Sequence, residues 1–333
     1  MQGIAVQLSS VFALTAALAF GAPQNQALDL NQSGLELAAQ REYVGAEKDY
    51  RRSAEIYRSL GEPFEAHLSI VLYNLGESLV GQGRWRESAP MFEEALVLSK
   101  RKLAPKHVRT VGILNALGNV RMMLGDEDSA EALLQEAVAS GRESTPGDVQ
   151  FAHALAGLSA LRLRQGKPEE ALPFAEEALA VTLKADPGEG IETAMMYQNV
   201  GQIHRAAMRP ERALPLMRKS RAIYERAQDT ADPRYASLLS QEGLALMDDG
   251  KFVQAEADMK HAIALLNECQ GCALNLAVAR NNLGLLRLRQ KKYAEADDLL
   301  RKALAGEEQY NPSDAAQIGV TRDALKQVRN TLR

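Results

Sequence analysis

The sequence predicts an all-α solenoid of about seven stacked helical hairpins, and two observations carry this prediction. The first is a segment that recurs along the chain, as Asn74-Leu-Gly, Ala116-Leu-Gly and Asn282-Leu-Gly. The second is its spacing, because successive copies are separated by 42, 42, 41, 42, 42 and 41 residues. A constant period in this range is typical of proteins in which similar helical units stack on one another.

Each copy has an anchor, which is a small residue in the first helix of its hairpin. The anchors are Gly34, Gly76, Gly118, Ser159, Gly201, Gly243 and Gly284. Counted from the anchor, position +12 is small, position +16 is large except at Ala175, and position +19 is small again. Apolar residues recur at steps of three and four, which is helical spacing. We therefore expect two helices per repeat that pack closely at small residues, with a large apolar side chain between them.

Small, large and small residues at these offsets resemble the tetratricopeptide repeat, and the 42-residue unit is most similar to the kinesin-light-chain type. The resemblance covers roughly residues 25–310. It implies a right-handed superhelix in which the first helices line a concave surface that holds partners. The departures are Ser159 at an anchor, Glu242 at a mostly apolar position, and Lys291 in place of a turn glycine. None changes the period, so each is expected to weaken a single interface.

The two ends of the chain differ from the repeats. Residues 1–22 contain an uncharged, mostly apolar run that ends near Ala19 and Gly21, a pattern that favours a cleaved secretory signal, although no Lys or Arg precedes the run. An apolar helix of the fold and a retained anchor are the alternatives. Residues 23–312 are predicted to be the solenoid, and residues 313–333 a C-terminal capping helix with a polar face. Export would make the protein periplasmic or secreted, and the alternative location is cytoplasmic.

Both cysteines lie in one connection, Cys269-Gln-Gly-Cys272. A haem attachment motif would need histidine where Ala273 stands, and a zinc site would need further ligands nearby. In an exported chain a local disulfide between Cys269 and Cys272 is the expected state. Free thiols and a redox-active pair are the alternatives.

The sequence carries no signature of a catalytic site. It has no phosphate-binding glycine loop, no nucleophile elbow and no metalloprotease helix. The five histidines are scattered over different repeats, and the net charge of −4 gives no reason to expect nucleic acid or an anionic membrane surface. We expect a protein that is not an enzyme, with no cofactor and no metal site.

The resemblance places the residues at positions −3 and +1 from the anchor on the concave face, since i and i+4 share one side of a helix. In several repeats these residues are amides, which can hydrogen-bond an extended peptide backbone without requiring one particular side chain. The candidate binding residues are Asn115, Asn119, Gln198, Gln202 and Asn281. The alternative is that these polar residues solvate an exposed inner surface.

A second column, at position +3, carries positive charge in the middle repeats. Arg121, Arg162, His204 and Arg287 stand where Leu37, Leu79 and Leu246 stand in the other repeats, and Arg205 lies beside His204. Such a column would favour an acidic partner, because charged hydrogen bonds are the stronger kind. The alternative is that these cations pair with acidic side chains of the neighbouring second helix.

Two functions are compatible with these features. The first is a non-catalytic scaffold that binds a peptide or protein segment in the concave groove. The second is a structural or assembly protein that acts through self-association or through its convex face and ends.

Overall fold

The computed structural model describes residues 23–103, 106–187, 190–269, 271–312 and 314–332, and the regular elements in these ranges are helices. The predicted signal segment, residues 1–22, lies outside the described residues. The chain forms two compact units, Met1–Pro105 and Lys106–Arg333. No helix in the described ranges is both long and apolar enough to cross a bilayer.

The first unit contains two hairpins. Its helices are α1 (residues 23–39), α2 (Tyr43–Leu60), α3 (Glu65–Gly81) and α4 (Trp85–Lys102), with a short 3₁₀ helix at Glu62–Phe64. Helix α3 packs against both α2 and α4.

The second unit contains five hairpins and a final helix. Its helices are α5 (Val108–Met123), α6 (Glu127–Ser144), α7 (Val149–Arg164), α8 (Pro168–Ala185), α9 (Ile191–Ala206), α10 (Pro210–Arg226), α11 (Pro233–Asp248), α12 (Phe252–Glu268), α13 (Ala273–Arg289), α14 (Tyr293–Tyr310) and α15 (Ala315–Leu332). Each helix packs on the next, and the first helices α5, α7, α9, α11 and α13 also contact one another in order. The second helices of this unit make no such contacts among the described residues. The first helices therefore form the inner row of this unit.

The anchor glycines allow the two helices of a hairpin to touch. A Cβ atom added to Gly76 would lie 2.6 Å from the ring of Phe92, and one added to Gly118 would lie 2.7 Å from Leu134. Both partners are fully buried large residues at position +16. Protein interiors are close-packed, so these contacts leave no room for a larger anchor.

In the fourth repeat the sizes of the two contacting residues are changed in opposite directions, with a larger anchor and a smaller residue at position +16. Ser159 replaces the anchor glycine, and Ala175 replaces the large residue at position +16. Both are buried, and the Ser159 hydroxyl donates a hydrogen bond of 2.9 Å to the carbonyl oxygen of Ala171. The two departures from the repeat therefore compensate each other, because the larger anchor occupies space that the smaller residue releases.

Helix α15 covers the apolar face of the last hairpin. Ala324, Leu325 and Val328 pack against Ala296 and Leu300. At the start of the helix, the buried carboxylate of Glu307 accepts hydrogen bonds from Gln317 Nε2 at 2.9 Å and from Thr321 Oγ1 at 2.7 Å.

One ion pair joins distant parts of the second unit. Arg164, at the end of α7, donates to both carboxylate oxygens of Asp314 at 2.9 and 3.1 Å, across 150 positions of sequence. Both side chains are largely buried. Asp314 also caps α15 through the backbone N–H of Gln317, and Arg164 also lies 3.3 Å from Glu127. Since repeats in a solenoid normally contact only their neighbours, this pair constrains the curvature of the unit.

Replacement of Ala175 by leucine is expected to destabilise the protein by about 1–3 kcal/mol, because Ser159 already fills the space. The double variant S159G/A175L recreates the glycine and leucine combination of Gly118 and Leu134, and should recover most of the loss. Urea unfolding of the four proteins in the cycle measures the coupling. Simple additivity of the two substitutions would contradict this packing explanation.

Asp314→Asn should loosen the second unit without unfolding α15, because asparagine caps a helix as well as aspartate does but lacks the charge that pairs with Arg164. Spin labels at exposed positions Lys167 and Val320 report the distance across the pair by electron resonance. We expect a broader and longer distance distribution in the variant. The control is Asp323→Asn, an exposed carboxylate on the same helix. Identical distributions in wild type and Asp314→Asn would show that the pair does not set the curvature.

Candidate functional site

A cleft of about 320 Å³ crosses the inner row of the second unit, on helices α5, α7 and α9. Its polar lining residues are Asn115, Asn119, His153, Glu192 and Asn199. Ala156, Gly157 and Ala160 of α7 provide a lining of small residues between them. Met195 and Met196 add an apolar contribution from α9.

A recurring contact between neighbouring first helices explains which amides reach this cleft. The residue at position −3 of one repeat faces the residue at position −2 of the next. Asn74 Nδ2 donates to Asn31 Oδ1 at 3.0 Å, and Asn282 Nδ2 donates to Ser240 Oγ at 2.8 Å. We call this hydrogen bond the inter-repeat clip. An amide that forms the clip is bonded within the fold and does not face a ligand with that group.

The clip is missing at the interface between α5 and α7. Asn115 occupies position −3, but position −2 of the next repeat is Gly157. A Cβ atom on Gly157 would lie 2.6 Å from Asn115 Oδ1, so the α7 backbone itself approaches this amide. Asn115 Oδ1 instead accepts a hydrogen bond of 3.1 Å from Asn119 Nδ2 in its own helix.

The clip is also missing at the interface between α7 and α9. Asn199 occupies position −2, and position −3 of the preceding repeat is Ala156. Within the described ranges, no side-chain hydrogen bond is formed by Asn199. At two successive interfaces, therefore, one amide of the clip has been replaced by a small residue, and the other faces the cleft.

An imidazole and a carboxylate meet across the cleft. His153 Nε2 on α7 lies 2.8 Å from Glu192 Oε2 on α9. The hydrogen bond from His153 holds the pKa of Glu192 below its ordinary value, against the opposing effect of burial. Arg234 adds a weaker attraction. Glu192 therefore stays ionised as a hydrogen-bond acceptor at the edge of the cleft.

The structure brings together only part of the set that the sequence indicated. Asn115 and Asn119 line the cleft, whereas Gln198 and Asn281 are buried, with exposed fractions of 9% and 2%. Gln202 is half-buried on α9 outside the lining of the cleft. Gln198 and Asn281 are therefore covered by the fold and do not face a ligand.

His153, Glu192 and Asn199 lie outside positions −3, +1, +3 and +4, from which the candidate binding residues are predicted. They stand at positions −6, −9 and −2 from their anchors. Positions −9, −6 and −2 in α9 follow helical spacing and share one side of the helix. These residues could have been found from the sequence by extending the helical pattern from position −3 toward the N-terminus of each first helix.

The basic column at position +3 is engaged within the fold. Arg162 donates to both oxygens of Glu131 at 2.9 and 2.7 Å, and Arg287 donates to both oxygens of Glu256 at 2.7 and 2.8 Å. In each case the carboxylate stands at position +13 of the preceding repeat. The hydrogen bond with Arg162 lowers the pKa of Glu131. Arg162 and Arg287 therefore pair with acidic side chains of a neighbouring second helix, and they are not free to bind an acidic partner.

The other members of the column also fail to form a cationic ladder. Arg121 lies 3.6 Å from Asp126, and Arg205 lies 3.3 Å from Asp248. His204 is 6% exposed, and burial lowers its pKa, which favours the neutral imidazole. The repeat before that of His204 has Leu172 at position +13, where Glu131 stands one repeat earlier, so this position provides no carboxylate for His204.

Cys269 and Cys272 form a disulfide in the connection between α12 and α13, with Cα atoms 5.6 Å apart. Among the residues with described positions, no group of three or more His, Cys, Asp or Glu side chains is arranged to hold a metal ion.

A family model described as tetratricopeptide repeat matches residues 26–101, 67–143, 150–226 and 234–309. None of the curated protein sequences compared with the chain matches it.

Several solved structures share the fold at low sequence identity. The Rap conjugation gene regulator of the plasmid pLS20, in complex with the Phr* peptide, is 15% identical with a TM-score of 0.68, over 86% of this chain and 75% of that one. Aspartyl phosphate phosphatase F from Bacillus subtilis is 16% identical with a TM-score of 0.66, over 92% and 75%. BtubC from P. vanneervenii is 21% identical with a TM-score of 0.55, over 67% and 92%. At these identities the likeness shows the fold alone.

Proposed function

Because the chain belongs to the tetratricopeptide repeat family, we propose that it is a non-catalytic scaffold that holds an extended segment of a protein partner in the cleft of α5, α7 and α9. The observation that carries this proposal is that two amides not engaged in a clip, those of Asn115 and Asn199, face the same cleft from successive interfaces. The clip ties amides to the fold at two other interfaces, between Asn31 and Asn74 and between Ser240 and Asn282.

The free groups in the cleft match the needs of a peptide backbone. Asn115 retains its N–H donors, Asn119 retains its carbonyl oxygen, and Asn199 retains both. Neighbouring packed helices are about 10 Å apart, so three helices span about 20 Å. An extended chain advances about 3.3 Å per residue, which makes this span about six residues long. Ala156 and Gly157 allow the backbone to come close to the helix surface.

The charged groups of the cleft suggest how side chains would be selected. Glu192 is the carboxylate in the lining, and it accepts a hydrogen bond from His153. Arg162 is paired with Glu131 outside this lining. We therefore expect a hydrogen-bond donor of the partner near Glu192, and not the acidic side chain that a free basic column would favour.

The solved neighbours are compatible with a peptide as the occupant. The pLS20 regulator, which shares the fold, was solved with the Phr* peptide. A fold of this kind therefore accommodates a peptide ligand, while the residues that would hold one here are those of this chain's own cleft.

Closing the cleft is expected to weaken binding of a peptide selected from a random library on the wild-type protein. Ala156→Asn recreates the asparagine pair of Asn31 and Asn74, and should engage Asn199 in a clip. Loss of one or two hydrogen bonds corresponds to roughly a tenfold loss of affinity. Asn199→Ala should cause a similar loss. Fluorescence anisotropy with the labelled peptide measures both.

The matched control is Asn282→Ala, which removes an amide that is already bonded to Ser240 and lies outside the cleft. It should leave the affinity within about twofold. Peptides that bind Ala156→Asn and Asn199→Ala as tightly as wild type would overturn the cleft as the binding site. They would favour the alternative of a protein that acts through its convex face or ends.

A further inference from the structure

The second unit has another cavity, on the side of the solenoid formed by second helices. It has a volume of about 380 Å³ and lies on α10, α11 and α12. The charged groups in its lining are Arg218, Arg221, Glu242 and Asp258. It does not include any residue of the cleft on α5, α7 and α9.

The two carboxylates occupy positions that are apolar in most repeats. Glu242 stands at position −1 and Asp258 at position +15, where the first and second helices of a hairpin face each other. Five other repeats carry an apolar pair at these positions, namely Leu75 with Met91, Leu117 with Leu133, Leu158 with Phe174, Val200 with Leu216, and Leu283 with Leu299. The sixth repeat has replaced both members of a core pair by acids.

Glu242 is buried without adequate compensation. Its residue is 3% exposed, and its Oε2 atom makes no hydrogen bond within the described structure. The nearest cations are Arg221 Nη1 at 3.5 Å from Oε2 and Arg218 Nε at 3.7 Å from Oε1. Burial of an ionised carboxylate is costly unless hydrogen bonds replace its water. The carboxylate therefore retains unused acceptor capacity at a residue that lines the cavity.

Arg221 contacts several carboxylates at once, so its charge is not directed at Glu242 alone. It donates to Glu225 at 2.9 Å and to Asp258 at 3.1 Å, in addition to its longer contact with Glu242. Arg218 has a side chain that is 56% exposed, so it contributes a weak, solvent-screened attraction. In the lining, the two largely buried carboxylates of Glu242 and Asp258 thus face one partly buried guanidinium group, that of Arg221. Burial raises the pKa of Glu242, and the charge of Asp258 raises it further.

We propose that this cavity is a docking site for a basic side chain, lysine or arginine, of a protein partner. The incoming cation donates hydrogen bonds to Glu242 and adds a positive charge beside the two buried carboxylates, where Arg218 is mostly in solvent. The exposed Arg218 is able to move aside, because no hydrogen bond holds it to Glu242. The site lies on α10, α11 and α12, so it adds a contact that is independent of the proposed binding of a peptide in the cleft on α5, α7 and α9.

N-acetyl-arginine amide and N-acetyl-lysine amide are the probes, and the methyl signals of Leu246, which lines the cavity, are the readout. In the full-length protein we expect a saturable chemical-shift change with either cationic probe. The neutral N-acetyl-glutamine amide should produce no saturable change at the same concentrations.

The decisive variant is E242L/D258L, which restores the apolar pair of the other repeats and should fold at least as stably as wild type. We expect it to reduce the affinity for both cationic probes at least tenfold. E242Q keeps the shape of the side chain, removes its charge, and should give a loss in the same direction. Asp298→Asn, which removes an exposed carboxylate from α14, controls for net charge and should leave the affinity unchanged.

Three results would overturn the proposal. They are an unsaturable shift of Leu246, an equal response to the neutral probe, or equal affinity of wild type and E242Q for the cations. Any of them would assign Glu242 and Asp258 to ion pairing within the fold alone. None would affect the cleft proposal, which concerns different helices.

Discussion

At the centre of each repeat, the anchor of the first helix touches the side chain sixteen positions later in the second helix. Gly76 with Phe92 and Gly118 with Leu134 show how little space this contact leaves. The contact fixes the distance between the two helices, and that distance requires small residues at positions +12 and +19. Because every repeat has this contact at the same spacing, the residues at its other positions have the same neighbours from repeat to repeat. The residue at position −3 faces the residue at position −2 of the next repeat, and the residue at position +13 faces the residue at position +3 of the next repeat. Within one repeat, the residue at position −1 faces the residue at position +15.

Because the neighbours of each position are known, a residue that differs from the repeat pattern can be interpreted from the residue that it faces. Asparagine at position −2 is bonded within the fold where a clip forms, as at Asn74 and Asn282, and faces the cleft at Asn199, where Ala156 replaces the clip partner. Arginine at position +3 serves the fold because a glutamate stands at position +13 of the preceding repeat. A solenoid tolerates such local changes because each repeat depends mainly on its neighbours. Lys291 illustrates the tolerance: it adopts φ 61°, close to the φ of 75° at Gly250 in the preceding repeat, and α14 begins normally after it.

The repeat spacing contains enough information to predict the fold, since periodicity and residue size determine helix pairing. The candidate site was predictable only in part. Asn115 and Asn119 were identified from their position on the first helix, but burial of Gln198 and Asn281 depends on how each first helix is rotated against the next. The meeting of His153 and Glu192, 39 positions apart, depends on the same rotation. Ser159 and Ala175 were read as separate departures, because their compensation becomes visible only when the two helices are placed in contact.

The central claim is that partners are held on the inner row of first helices, at the α5–α7 and α7–α9 interfaces where Asn115 and Asn199 face the cleft. Photo-crosslinking in the native host tests it most directly, with a photoreactive amino acid at Ala160 in the cleft and, separately, at Val97, an exposed residue on the second helix α4. We expect Ala160 to crosslink to one short segment of a partner protein, and Val97 to give no reproducible product. Partner crosslinks from Val97 with none from Ala160 would contradict the claim and would place recognition on the second helices.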